Sequence, residues 1–326
     1  MRKSLLLTAL LFSCFTHAQV FQQKEPLVHT FSIVARDSAT GEMAVGVQSH
    51  WFSVGTEVPW AEAGVGAVAT QSFVNKSYGL QALDLLKKGF TAREALDSLI
   101  KKDEGRDVRQ VAIIDAKGNV AAHTGTKCIQ YAKHITGANF SVQSNMMLGP
   151  SVCESMAKAF RQSAGKPLAE RILAALEAAQ AAGGDIRGMQ AAAIIVVPGH
   201  TTEPWNNHSI DLRVDDNPHP ITELKRLYTV HLAYQHMNNG DLATEKNNME
   251  LAMKEYGAAM KLFPSNLEMQ YWTAIALANT HQLAKALPMF KKIFAADPNW
   301  KELTRRLTPV GLLTLTEKEL KQVLAQ

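Results

Sequence analysis

The stretch from His29 to Gly55, HTFSIVARDSATGEMAVGVQSHWFSVG, limits the fold more than any other part of the chain. Two apolar, β-prone runs, Thr30 to Asp37 and Met43 to Ser49, flank a turn at Ser38-Ala39-Thr40-Gly41. That pattern predicts a β-hairpin. Both runs are too apolar for a sheet with one face in water, so both faces of the hairpin must be covered.

The remaining segments supply the cover. Residues 19–29, QVFQQKEPLVH, read as a loose polar leader with one proline. Phe52 to Ala63, rich in Gly, Pro and Trp, is expected to be a loop, and Val65 to Gln71 a small-residue strand. Ser77 to Lys88 and Thr91 to Lys102 read as helices. Leu80, Leu83 and Leu86 give the first its apolar face, and Thr91 with Glu94 forms a capping box on the second. Val111 to Asp115 and Asn119 to His123 form another hairpin, and Phe140 to Met147 a strand. Two more helices, Ser151 to Ser163 and Leu168 to Ala182, end at Gly183-Gly184. Gln190 to Val197 and Ile210 to Val214 are the last strands. This order is α+β, and two sheets covered by helices would bury every apolar face named.

The first eighteen residues carry the parts of a secretory signal in order: Arg2-Lys3, the apolar run Leu5 to Phe15, and Thr16-His17-Ala18 before the cut. The mature protein is therefore expected to be exported, periplasmic or secreted. Leu11-Phe12-Ser13-Cys14 loosely resembles a lipobox, so a lipid on Cys14 is the lesser alternative. No other stretch is long and apolar enough to span a bilayer. A formal charge of +4 without a basic stripe gives nucleic-acid binding no support. Beyond the signal, Cys128 and Cys153 have no CxxC or His partner at metal spacing. They suit one disulfide or two buried thiols equally well. Gly183-Gly184 lacks the lysine of a phosphate loop, and no cofactor is expected.

From about Ile221 the pattern is helical only. Ala252 and Ala286, Tyr256 and Phe290, and Pro264 and Pro298 each recur at an interval of 34 residues. That interval resembles tetratricopeptide repeats, with the first helix of each unit marked only by Trp272-Ala274. Two units are few for a free-standing solenoid, so they are expected to lean on the first domain. The expected division is a signal at 1–18, a leader at 19–29, a first domain at 30–228 and a helical domain at 229–326.

The blocks TFSIVARD, VGVQSHWFSVG, VPWAEAGVGAVATQS, RQVAIIDAKGN, AAQAAGGDIRG and IDLRVDD closely resemble the domain-of-unknown-function 1028 family, a group assigned to the N-terminal-nucleophile (Ntn) hydrolase superfamily. The resemblance implies a four-layer αββα Ntn-hydrolase-like sandwich and no established reaction. A more distant similarity to proteasome-type Ntn chains implies a nucleophilic threonine on the first strand, a serine in a loop after a Phe-Ser-Val strand, and an aspartate in a helix-to-strand turn. Thr30, Ser144 and Asp185 stand at those places, with Ser144-Asn145 as backbone donors to an oxyanion. Two positions depart from that pattern. Gln48 or Ser49 replaces an acidic residue, and no cation occurs in Val65 to Phe73 where a lysine is expected.

A threonine hydroxyl needs a base, and in an Ntn site its own α-amine is that base. The His29–Thr30 bond must therefore be cut before Thr30 can act on an amide-type bond. Candidates for substrate binding are Ser49, His50, Trp51 and Gln71. His50, Trp51 and Trp60 could also simply pack a Gly-rich loop. Ser49 and His50 point to opposite faces of a strand and cannot form a local pair. Asp215, Asp216 and His219 could hold a cation, but Asp-Asp-Asn-Pro is also a strong turn signal. Two functions stand against each other: an exported amidohydrolase acting on a small molecule or peptide, and a non-catalytic binding module that uses the sandwich and helical tail to hold a protein or peptide partner.

Overall fold

The computed structural model describes residues 27–326 apart from 202, 204 and 206. The expected signal, Cys14 and most of the leader lie outside the described residues. Strands β1 (Leu27–Val28), β2 (Thr30–Arg36), β3 (Met43–Ser49), β4 (Pro59–Glu62) and β5 (Gly66–Phe73) precede helices α1 (Ser77–Lys87) and α2 (Ala92–Lys102). Strands β6 (Arg109–Asp115), β7 (Val120–Thr124), β8 (Lys133–Gly137) and β9 (Phe140–Ser144) lead to helices α3 (Val152–Gln162) and α4 (Leu168–Ala181). After β10 (Ala191–Val197) and β11 (Ile210–Val214) come α5 (Pro220–Glu245), α6 (Met249–Leu262), α7 (Leu267–Asn279), α8 (Leu283–Ala296), α9 (Asn299–Leu307) and α10 (Glu317–Leu324).

One sheet has the order β11-β10-β3-β2-β9-β8, and the other β1-β5-β6-β7 with β4 also pairing with β5. The hairpin β2–β3 is central, flanked by β9 and β10, which explains why its sequence is apolar on both faces. Alternation along β2 sends Phe31, Ile33 and Ala35 toward α3 and α4, and Val34 toward the other sheet. On the far side, Val68, Val111 and Ile113 pack under α1 and α2. The four layers are therefore α, β, β and α. Full burial of a side chain such as Phe31 contributes about 1.5–3 kcal/mol, so the apolar faces supply most of the drive to this arrangement.

Several expectations change. The end of the leader is not loose: Leu27–Val28 pairs with Phe73 and Ser72, and His29 is buried. Phe52 to Ala63 is not all loop, because Pro59–Glu62 pairs with β5 and Trp60 packs where Gly79 leaves room on α1. Strand β8, half-exposed at a sheet edge, lacks the apolar run that would mark it. Leu83 and Leu86 are buried as expected, but Leu80 is 59% exposed and α1 adds Tyr78 and Ala82 to its inner face. The capping box of Thr91 and Glu94 is present. Cys128 and Cys153 are free thiols, which removes the disulfide.

The boundary expected at 228/229 falls inside α5, a single helix of 26 residues. Ile221, Leu224 and Tyr228 belong to the core beneath α4, while Ala233, Met237 and Ala243 belong to the core of the tail. Helix α8 begins and ends 34 residues after α6, and Ala252, Tyr256, Ala286 and Phe290 are all buried. The second half of α5 packs on α6, closely enough at Gly240 that a Cβ there would lie 2.3 Å from the Tyr256 ring. No helix among the described residues is long and apolar enough to cross a membrane.

Candidate functional site

The chain changes sheets at His29. Strand β1 closes the edge of β5, whereas β2 opens at Thr30 in the other sheet, opposite Ser49. The His29–Thr30 peptide bond therefore lies at the crossing, between the two sheets.

Two side chains converge on this bond. The His29 carbonyl oxygen accepts from Ser49 Oγ at 2.6 Å and from Arg187 Nη2 at 2.7 Å. Thr30 has no exposed surface, and its hydroxyl donates back to the Val28 carbonyl at 3.0 Å. The Thr30 carbonyl accepts from the Asn145 backbone N–H at 3.1 Å and from Gln71 Nε2 at 3.2 Å.

Asp185 orients the cation. Its carboxylate takes Arg187 Nη2 at 2.7 Å and Nε at 3.0 Å, a fork that fixes the plane of the guanidinium. The backbone N–H of His50 also reaches Asp185 Oδ2, at 3.4 Å. The turn bearing both residues is pinned by the Met147–Asp185 bridge and by Ile186 N–H on the Met146 carbonyl at 3.2 Å. Gly184, at φ 59°, lets the chain leave α4 into this turn. Met146, next to Asn145, sits at φ 57°, a strained conformation for a side chain of its size that the surrounding bonds hold in place.

Behind the bond runs a buried polar chain. Gln143 Nε2 donates to Ser32 Oγ, which donates to Gln71 Oε1. Gln71 Nε2 and Asn145 Nδ2 both donate to Gln110 Oε1, at 2.7 and 2.8 Å. Gln110 Nε2 faces the Ser144 and Lys133 carbonyls, so its amide can have only one orientation. Asn145 is thereby fixed with Oδ1 toward His29 Nδ1, 2.6 Å away, and that nitrogen carries the proton. Burial lowers the His29 pKa below the usual 6.5, against the Asn145 bond that raises it. His29 is neutral at neutral pH.

Of the residues picked from sequence, Thr30, Ser49, Gln71, Asn145 and Asp185 come together. Ser144 does not. It pairs with Phe31 and shares its face, so its hydroxyl meets Cys153 Sγ at 3.2 Å on the helix side. The Asn145 N–H serves the Thr30 carbonyl, and the donors to the His29 carbonyl are Ser49 and Arg187 instead. His50 is exposed, with its ring on the Met189 carbonyl at 3.4 Å, and Trp51 packs against the core between the sheets. Asp215 accepts from Ser53 Oγ and Asp216 from Gln190 Nε2, each tying down a turn. Among the described residues no group of three or more His, Cys, Asp or Glu could hold a metal ion.

Sequence reading missed His29, Arg187, Gln110, Ser32 and Gln143. Arg187 places a cation on the His29 carbonyl from an element other than Val65 to Phe73. The available signals were a cation two residues past Asp185 and single polar residues at inward positions of apolar strands.

A family model described as "Family of unknown function (DUF1028)" matches residues 30–224. A crystal structure of a protein from Silicibacter pomeroyi, assigned to the same family, is 32% identical and covers 61% of this chain and 84% of that one, with a TM-score of 0.56. Anbu, an ancestral β-subunit, from Yersinia bercovieri aligns at 13% identity over 61% of this chain and 93% of its own, with a TM-score of 0.30. No curated protein matches the chain.

Proposed function

The chain belongs to the DUF1028 family, whose function is unknown, and from its site we propose that it is an exported Ntn-type hydrolase that frees Thr30 by cutting its own His29–Thr30 bond. One observation carries the reading: the carbonyl of that bond is held by a hydroxyl and a guanidinium at 2.6 and 2.7 Å. Donors placed on a carbonyl oxygen before reaction are what an acyl transfer needs, because they stabilise the negative charge that develops there.

Thr30 Oγ attacks the His29 carbonyl carbon and loses its proton as the C–N bond breaks. The Thr30 nitrogen leaves as an amine and takes a proton. Water then hydrolyses the His29–Thr30 ester, which gives a His29 carboxylate and restores the Thr30 hydroxyl. The freed α-amine, with a pKa near ~8, becomes the base for later substrates. Arg187 stabilises the oxyanion, and Asp185 keeps it aimed. The tetratricopeptide-like tail holds a protein or peptide partner, and residues 1–18 act as the export signal.

A second reading, a non-catalytic binding module, is favoured by the burial of Thr30 at 0% and His29 at 1%. In an uncut chain the Thr30 hydroxyl is closed off from solvent. The N-terminal residue of the purified protein separates the two readings: Thr30 supports the hydrolase, and an intact His29–Thr30 bond supports the binding module.

A further inference from the structure

We infer that the place filled by Leu27, Val28 and His29 is the acyl-side subsite of the cut enzyme, and that its substrate is an extended peptide with a flat, N–H-bearing side chain, such as His or Asn, before the bond hydrolysed. The inference rests on the hydrolase reading above. It follows from what surrounds the segment that would leave.

Among the described residues, strand β1 is held in its sheet by two pairs, Leu27 with Phe73 and Val28 with Ser72. Once the His29–Thr30 bond is cut, nothing covalent retains it beside β5. Its departure opens the backbone groups of Ser72 and Phe73 as a sheet edge, which takes a peptide by adding a strand. A peptide on that edge, in the register of Leu27–Val28, brings its next carbonyl to the position of the His29 carbonyl. Ser49 Oγ and Arg187 Nη2 already point there.

The side chain before that carbonyl meets a defined environment. Phe73 stands edge-on to the His29 ring with centroids 5.9 Å apart, an apolar wall suited to a flat group. At the ring's Nδ1, Asn145 Oδ1 is an acceptor whose direction is fixed through Gln110, so it selects a donor. His29 Nε2 has no partner although it is buried, so the bond to Asn145 is the ring's only polar tie among the described residues. An aliphatic group there leaves Asn145 Oδ1 buried without its donor, which is costly.

The test uses the full chain, first incubated and checked by intact mass for loss of the residues before Thr30. The cut protein is then given acetyl-Leu-Val-X-aminomethylcoumarin with X as His, Phe, Asn or Leu. The expected result is kcat/KM for His at least about tenfold above Phe, and for Asn at least about tenfold above Leu. The free peptide Leu-Val-His should compete. A chain that stays uncut overturns the hydrolase reading and this subsite with it. A cut chain that cleaves none of the four, ranks them equally, or prefers Phe and Leu overturns the subsite alone.

Discussion

Arg187 Nη2 donates to the His29 carbonyl oxygen at 2.7 Å across 158 residues of sequence. The same nitrogen is ion-paired with Asp185 Oδ2, also at 2.7 Å, so one carboxylate aims the cation at one carbonyl. The side chain of Asp185 is fully buried and that of Arg187 is 27% exposed. The pair is therefore only partly screened by water, and its geometry is set before any bond breaks.

Removing that cation should slow self-cutting. Arg187→Met is expected to lower the rate of release by about 10²–10³, the usual loss for one oxyanion donor. Arg187→Lys should lose less, since an ammonium keeps the charge but cannot make the fork to Asp185. Asp185→Asn should keep the fold and fall between the two. Intact-mass time courses on the full chain give the three rates, and equal rates for all variants and wild type would remove Arg187 from the chemistry.

Stability should weaken on the acid side. His29 and His134 are both held below the usual histidine pKa of 6.5, each chiefly by burial. The unfolded chain then takes up those protons first. The native state keeps its full margin above pH 6.5 and loses it as pH falls through the window beneath. The thermal midpoint of the uncut Thr30→Ala chain should drop between about pH 7 and 5, and adding His134→Gln should make the drop shallower. A midpoint that stays level over that range would contradict the assignment.

The sandwich was readable because its signals are local. The β2–β3 hairpin shows its apolar runs and turn, and the capping box of Thr91 and Glu94 needs only four residues. The site was readable in part, where a strand end or a turn marked Thr30 and Asp185. What stayed hidden depends on partners distant in sequence. His29 looks like the end of a polar leader until Phe73 and Asn145 are beside it. Leu80 looks like core by spacing, yet Tyr78 and Ala82 occupy the face that α1 turns inward. Gly240 looks unremarkable in sequence because the helix containing it begins in the core beneath α4.

Cys153 should be unreactive in the folded chain. Its thiol is 1% exposed, and burial pushes its pKa up to about 11, so little thiolate forms near neutral pH. Iodoacetamide at about pH 8 should modify Cys153 only after denaturant is added, as read by peptide mass. Rapid modification of the folded protein would show that α3 opens readily.

The tail offers a packing test. Gly240→Ala gains up to ~1 kcal/mol of helix propensity but drives a methyl into the Tyr256 ring. Overpacking of this kind costs about 1–3 kcal/mol, so the net effect should be loss of stability in denaturant unfolding. Adding Tyr256→Leu should make the double variant less destabilised than the sum of the single changes. Strict additivity would mean that α5 and α6 adjust without strain.

Thr30 Oγ is proposed to cut the bond before it. The most direct measurement is the intact mass and N-terminal residue of the full chain after incubation, beside Thr30→Ala and Thr30→Ser. The wild type and Thr30→Ser should lose everything before residue 30, while Thr30→Ala should keep it. Cleavage of Thr30→Ala at the same bond, or a wild-type chain that keeps His29 attached, would contradict the proposal.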